Sequence, residues 1–169
     1  AEVISIGHEL LMGEITDTNS SFLASRLPAL GIELRWISTV GDNVEDLTEV
    51  ISRALQRSHI ILTTGGLGPT TDDITREAIA QTLNEKLYQD QSLQITLEQR
   101  FSARGINMAP NNLKQATLIP SAQPLPNTHG TAPGWWVERD NFLLIALPGP
   151  PSELAPMWDT QVQPHLGRH

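Results

Sequence analysis

TTGGLGPTTDD, Thr63 to Asp73, packs three glycines, a proline and two adjacent carboxylates directly behind an apolar run. The run itself, HIILTT (His59–Thr64), is the almost uniformly apolar kind of strand that a sheet needs when helices cover both its faces. The segment after it, DDITREAIAQTLN, repeats Ile74, Ala78, Ile79 and Leu83 at helical spacing. Strand, glycine loop and helix are therefore expected in that order. Glycines at such a junction let backbone N–H groups come close to phosphate oxygens.

The same unit recurs on the N-terminal side. EVISI (Glu2–Ile6) reads as a first strand running into Gly7. Phe22, Leu23, Leu27 and Leu30 predict a helix capped by Asp17, Thr18 or Asn19, closed by Gly31 and shortened by Pro28. IELRWISTV (Ile32–Val40) predicts a second strand, and GDN turns into a helix starting near Asn43, with Asp42 and Glu45 at capping-box spacing. Leu47, Val50, Ile51, Ala54 and Leu55 give that helix its apolar face. Three such units with short connections imply right-handed crossovers and a mostly parallel sheet.

On the C-terminal side, Gln91 to Arg104 predicts a further amphipathic helix, and the Pro-, Asn- and Gly-rich residues after it predict a long excursion. WWVE and FLLIAL, separated by RDN, predict an antiparallel hairpin at one sheet edge; PGPPSEL opens a last helix to about Leu166, interrupted or ended by Pro164. The expected fold is α/β, a three-layer α/β/α Rossmann-like arrangement, with residues 1–169 forming one domain.

Composition narrows the partners. The formal net charge is −8, and only Lys86 and Lys114 among the eleven Lys and Arg residues are lysines, which offers a nucleic-acid backbone little. The absence of cysteine removes disulfides and thiolate metal sites. No apolar run is long enough to span a bilayer and no basic n-region opens the chain, so a soluble, cytoplasmic protein without a membrane partner is expected.

Ligands of open α/β sheets bind beyond the carboxyl ends of the strands. GHELLMGE, GDN, TTGGLGPTTDD and LPGPPSE all fall at such ends. None has the Lys-Ser or Lys-Thr of a P-loop, and the first lacks the dinucleotide fingerprint. Asp72 and Asp73 have two readings, capping of the following helix or coordination of Mg²⁺ or Mn²⁺ beside a phosphate, with Glu9 as a third carboxylate. Of the histidines, His8 is a loop residue, His59 structural, His129 part of a tight glycine loop, and His165 and His169 terminal, which disfavours a histidine zinc centre. Trp135 and Trp136 are candidates for stacking on a base or pterin, but strand alternation sends them to opposite faces, and packing is the commoner use. Lys114, beside Asn111 and Gln115, is a candidate phosphate or ribose clamp.

Taken together, GHELLMGEITDTN, TVGDN, TTGGLGPTTDDITREA, APNNLKQA, NTHGTAPGWW and LPGPPSE, in this order between Glu2 and Leu166, closely resemble the N-terminal domain of the CinA (competence/damage-inducible) family, a relative of the molybdopterin-binding domains of molybdenum-cofactor biosynthesis. The resemblance implies a molybdopterin-binding-domain-like fold and a metal-dependent ADP-ribose pyrophosphatase that yields AMP and ribose 5-phosphate. It implies Gly65, Gly66 and Gly68 as phosphate loop, with Gly149 and Ser152 closing the opposite side. Asp72, Asp73 and Glu9 become catalytic and metal-holding residues; Asp42 matches an acidic loop position and Lys114 a lysine near the substrate. The cofactor implied is a divalent ion. At His8 such loops commonly carry Asp or Thr, so an imidazole there either shifts the preference from Mg²⁺ or Mn²⁺ toward a softer transition metal or marks a domain without turnover. The relatives' assembly implies a homo-oligomer, a dimer in the first instance. Full-length members continue into a nicotinamide-nucleotide amidohydrolase, which is not expected of these residues. Two other readings stand beside the hydrolase: a binding module for a pterin phosphate or nucleotide, and an assembly platform for the fused amidohydrolase.

Overall fold

The six-stranded sheet has the order β2-β1-β3-β8-β7-β6. The computed structural model describes residues 1–139 and 141–167. The strands are β1 Glu2–Ile6, β2 Trp36–Val40, β3 Ile60–Thr64, β6 Ala122–Leu125, β7 Gly134–Arg139 and β8 Phe142–Leu147; β4 Tyr88–Gln89 and β5 Thr117–Leu118 form a separate two-residue ladder. The helices are α1 His8–Leu11, α2 Thr18–Arg26, α3 Val44–Arg57, α4 Thr75–Thr82, α5 Gln91–Ala103, α6 Pro151–Met157 and α7 Gln163–Leu166, the last two joined by a π-helical stretch, Trp158–Val162. The first three strands and β8 pair in parallel, while β6, β7 and β8 pair antiparallel. This is the α/β Rossmann-like arrangement with an antiparallel edge that the sequence predicts. Of the predicted RDN turn, Asp140 lies outside the described residues, as does His169.

Alternation along the central strands builds two cores, one on each face. Ile4, Ile61, Trp135 and Leu144 face the core under α3 and α4. Val3, Leu62, Trp136 and Ile145 face the one under α2 and α6. This explains why β3 and β8 read as unbroken apolar runs, since neither face of either strand meets water. The two tryptophans point to opposite faces as predicted, and both are buried, at 0% and 5% exposure. They are packing residues, and neither the stacking role nor a surface interface rests on them.

Three boundaries differ from the sequence expectation for identifiable reasons. Strand β2 begins at Trp36, because its ladder with β1 opens at the Glu2–Trp36 pair and an edge strand extends no further than its one neighbour. The N-cap of α3 is Asn43, whose side chain accepts from Asp46 N at 2.9 Å, and Asp42 is left free to bond elsewhere. Strand β6 contains Pro124, which disguises it as loop; it is tolerated because β6 is the sheet's outer strand and needs no donor there. Asp17 caps α2 as expected, accepting from Ser20 N at 2.9 Å, and the helix gives way to a 3₁₀ turn at Leu27–Leu30 where Pro28 enters. Among the described residues no helix is long and apolar enough to cross a membrane.

Candidate functional site

The chain leaves β1 for β2 on one side and later returns to β3 on the other, with α2 on one face and α3 on the opposite one. Such a reversal leaves a crevice above the carboxyl ends of β1 and β3. The crevice is occupied by two adjoining clefts. One, of 350 Å³, is lined by Ile6 and Thr64 at the strand ends and by Glu9, Asp17, Asn19 and Gly149. Its neighbour, of 300 Å³, is lined by Gly66, Gly68, Asp73, Gln115, Thr131 and Glu153, and also by Gly149. Gly149 and Pro150 belong to both walls, so the loop after β8 is the partition between them.

The glycine loop after β3 is fixed from both ends. Gly65 N donates to Leu147 O at 3.0 Å, which ties it to β8. Thr75, the first residue of α4, donates through its hydroxyl to Gly65 O at 2.8 Å and through its N–H to Gly66 O at 3.1 Å. Gly65 has φ 99, and a Cβ there would lie 2.5 Å from the carbonyl oxygen of Ile6. A methyl built on Gly149 would lie 3.4 Å from Gly65 Cα, so the two loops meet backbone to backbone. Asn19 Nδ2 donates to Gly149 O at 2.7 Å and draws α2 into the same wall.

Asp73 does something other than cap the helix. Because Thr75 fixes the start of α4, the N-cap falls on Ile74, which offers no side-chain acceptor. Asp73 turns back instead: its Oδ2 accepts from Thr70 N at 2.9 Å and from the Thr70 hydroxyl at 2.6 Å, closing a turn over Gly68. Asp72 is exposed and lines neither cleft. Glu9 lines the first cleft and Asp73 the second, so the partition separates them. Among the described residues no three His, Asp or Glu side chains form a group able to hold a metal ion. The metal-dependent ADP-ribose hydrolysis expected from Asp72, Asp73 and Glu9 is overturned by this arrangement, since the three carboxylates it relies on do not converge: Asp72 is exposed, and Glu9 and Asp73 line different clefts.

The other expected site residues fall in varied places. Asp42 Oδ2 accepts from His8 N at 3.2 Å, linking the loops after β2 and β1 outside both clefts. Lys114 Nζ donates to Thr70 O at 3.0 Å and pairs with Glu77 Oε1 at 3.1 Å, which braces the Pro69–Asp73 turn from outside. Ser152 is exposed on α6 and lines neither cleft, whereas Glu153 beside it does. Asp73→Ala removes both acceptor contacts to Thr70 and is expected to cost about 1–2 kcal/mol in urea unfolding. Asp73→Asn, which keeps one acceptor oxygen, should lose less; equal losses would show that the turn does not depend on those bonds.

Glu153 and Asn127 form a part of the site that sequence spacing does not suggest. Asn127 Nδ2 donates to Ala132 O at 2.9 Å and to Glu153 Oε2 at 2.7 Å, while its Oδ1 accepts from His129 N at 3.1 Å and Gly130 N at 2.8 Å. The β6–β7 loop that supplies Thr131 is thus organised around one buried amide and clamped onto α6. The only sequence hint was the glycine-flanked path around His129.

The comparisons agree with the fold. The family model described as "Probable molybdopterin binding domain" matches residues 2–168. A CinA-like protein of Thermomicrobium roseum is 51% identical over 98% of this chain, which spans 41% of that relative. A CinA-like protein of Deinococcus radiodurans is 48% identical over 98% of the chain and 42% of its own length. The chain therefore spans about two-fifths of these curated relatives. The solved protein CinA of Thermoplasma acidophilum superposes with a TM-score of 0.91 at 30% identity, covering 98% of this chain and 96% of that one. The molybdopterin biosynthesis enzyme MoaB of Thermus thermophilus shares the fold, at a TM-score of 0.63 and 19% identity over 98% of this chain and 92% of its own.

Proposed function

Because the chain belongs to the molybdopterin-binding domain family, as a CinA-like member, we propose that it is a non-hydrolytic binding module for a small phosphate-bearing heterocycle, a pterin phosphate or a nucleotide. The observation that carries this reading is the meeting of the Gly65–Gly68 loop with Gly149 at the sheet's reversal point, where both clefts open. Backbone donors near glycine approach a phosphate without side-chain bulk. Asp17, Asp73 and Glu153 each accept hydrogen bonds from the protein itself, so they shape the walls as acceptors already engaged.

Two carboxylates line each cleft, Glu9 with Asp17 and Asp73 with Glu153, and they oppose an anionic guest. A divalent ion enters in this reading as a counter-charge carried in by the phosphate. Calorimetric titration of AMP and of a pterin monophosphate, with and without Mg²⁺, tests the proposal. Saturable binding, strengthened by Mg²⁺, is expected, with the ligand recovered intact; incubation with ADP-ribose should release no AMP. Absence of saturable binding for both ligands, or AMP release from ADP-ribose, would falsify it.

A further inference from the structure

Burial of Trp135 and Trp136 leaves the flat part of such a ligand without the stacking partner that the sequence offered. The geometry points to a different place for it: a slot of 160 Å³ between α5 and the β6–β7 loop, as a subsite for a heteroaromatic ring. This subsite rests on the phosphate-binding reading of the clefts.

The slot adjoins the site. Gln115 and Thr131 line both it and the 300 Å³ cleft, so the two share a wall. Its remaining walls are chiefly apolar, with Leu93 and Leu97 from α5 facing Pro126 and Pro133. An apolar cavity of about 150 Å³ holds one benzene ring, so this volume suits one ring of a purine or pterin, with the rest reaching the shared wall. Apolar walls with a few polar groups at one end are the usual form of a heterocycle site. Gln115, only 2% exposed, brings an amide with both donor and acceptor to that end.

The slot is also held open by the fold. Arg100 Nη1, from α5, donates to the carbonyl oxygens of Asn127 and Gly130 and pins the loop across it. The Asn127 hydrogen bonds fix the same loop from the other side. Prolines 124, 126 and 133 limit backbone adjustment of the walls. A cavity supported in this way does not have to be created by its guest.

Thr96 lies on the exposed side of α5 and lines the slot without reaching either cleft, so Thr96→Trp fills the slot from outside. Calorimetry with AMP, a pterin monophosphate and ribose 5-phosphate separates ring from phosphate. Thr96→Trp is expected to weaken the two ring-bearing ligands roughly tenfold or more and to leave ribose 5-phosphate unchanged; whichever ring-bearing ligand responds identifies the source. In the unaltered protein, NMR resonances of Leu93 and Leu97, which line the slot and neither cleft, should move with that ligand and stay still with ribose 5-phosphate. If none of the three binds the unaltered protein, the cleft reading falls and the slot with it. Should they bind while Thr96→Trp leaves ring-bearing affinities unchanged, or weakens ribose 5-phosphate equally, the slot alone is rejected.

Discussion

Gly65→Ala is expected to destabilise the protein by about 3 kcal/mol or more and to abolish phosphate binding. Two penalties combine at this position. A φ of 99 lies in the region that L side chains rarely adopt, which costs on the order of 1–2 kcal/mol. The added methyl would also sit 2.5 Å from Ile6 O, a backbone atom at the end of a central strand that has no room to retreat. Gly105→Ala isolates the first penalty, because Gly105 also has positive φ, at 67, yet a Cβ there meets nothing within 4 Å. That control should lose only about 1 kcal/mol. Urea unfolding of both variants measures the difference, and equal losses would mean that the loops after β1 and β3 are not in close contact.

Arg76→Met is expected to act in the opposite direction and to raise stability at neutral pH by about 1–3 kcal/mol. Arg76 is 0% exposed, and among the described residues its Nε and Nη2 have no hydrogen-bond partner. Its Nη1 reaches Gly68 O at 3.5 Å, beyond good hydrogen-bond length. Burial pushes its guanidinium down to about 10, against the opposing pull of Glu77 and Asp73. The unfolded chain therefore holds this proton more tightly than the folded one. The cost is present in full below pH 10 and is relieved as the pH climbs above about 10. Met fills a similar volume without charge. A loss of stability on Arg76→Met, measured by thermal and urea unfolding, would show that the guanidinium is satisfied by a contact that matters to the fold.

Much of the fold could be read from the residues because the signals were local. The apolar runs of β3 and β8, the spacing of Leu47, Ile51 and Ala54 in α3 and the cap at Asp17 each follow from neighbours in sequence. The positions of the glycine loops at strand ends were legible for the same reason. The role of Asp73 was not, because it depends on where α4 starts, and that is set by the hydroxyl and N–H of Thr75 reaching the carbonyls of Gly65 and Gly66. Spacing predicted a helix cap where the chain makes a side-chain-closed turn. Asn127 and Glu153 were still less visible, since their contact spans 26 residues and neither belongs to a periodic pattern. Short pairings such as Tyr88–Gln89 with Thr117–Leu118 are too brief for any alternation to register.

The closeness of the Gly149 and Gly65 backbones also bears on kinetics. Two loops that lean on each other, one stitched to β8 and the other to α2, brace the mouth of the crevice. A guest of the proposed site is then expected to meet a receptor already in its final shape and to be captured in a simple encounter, without a slow opening step. Differences in affinity among such guests would reside in how long each one stays.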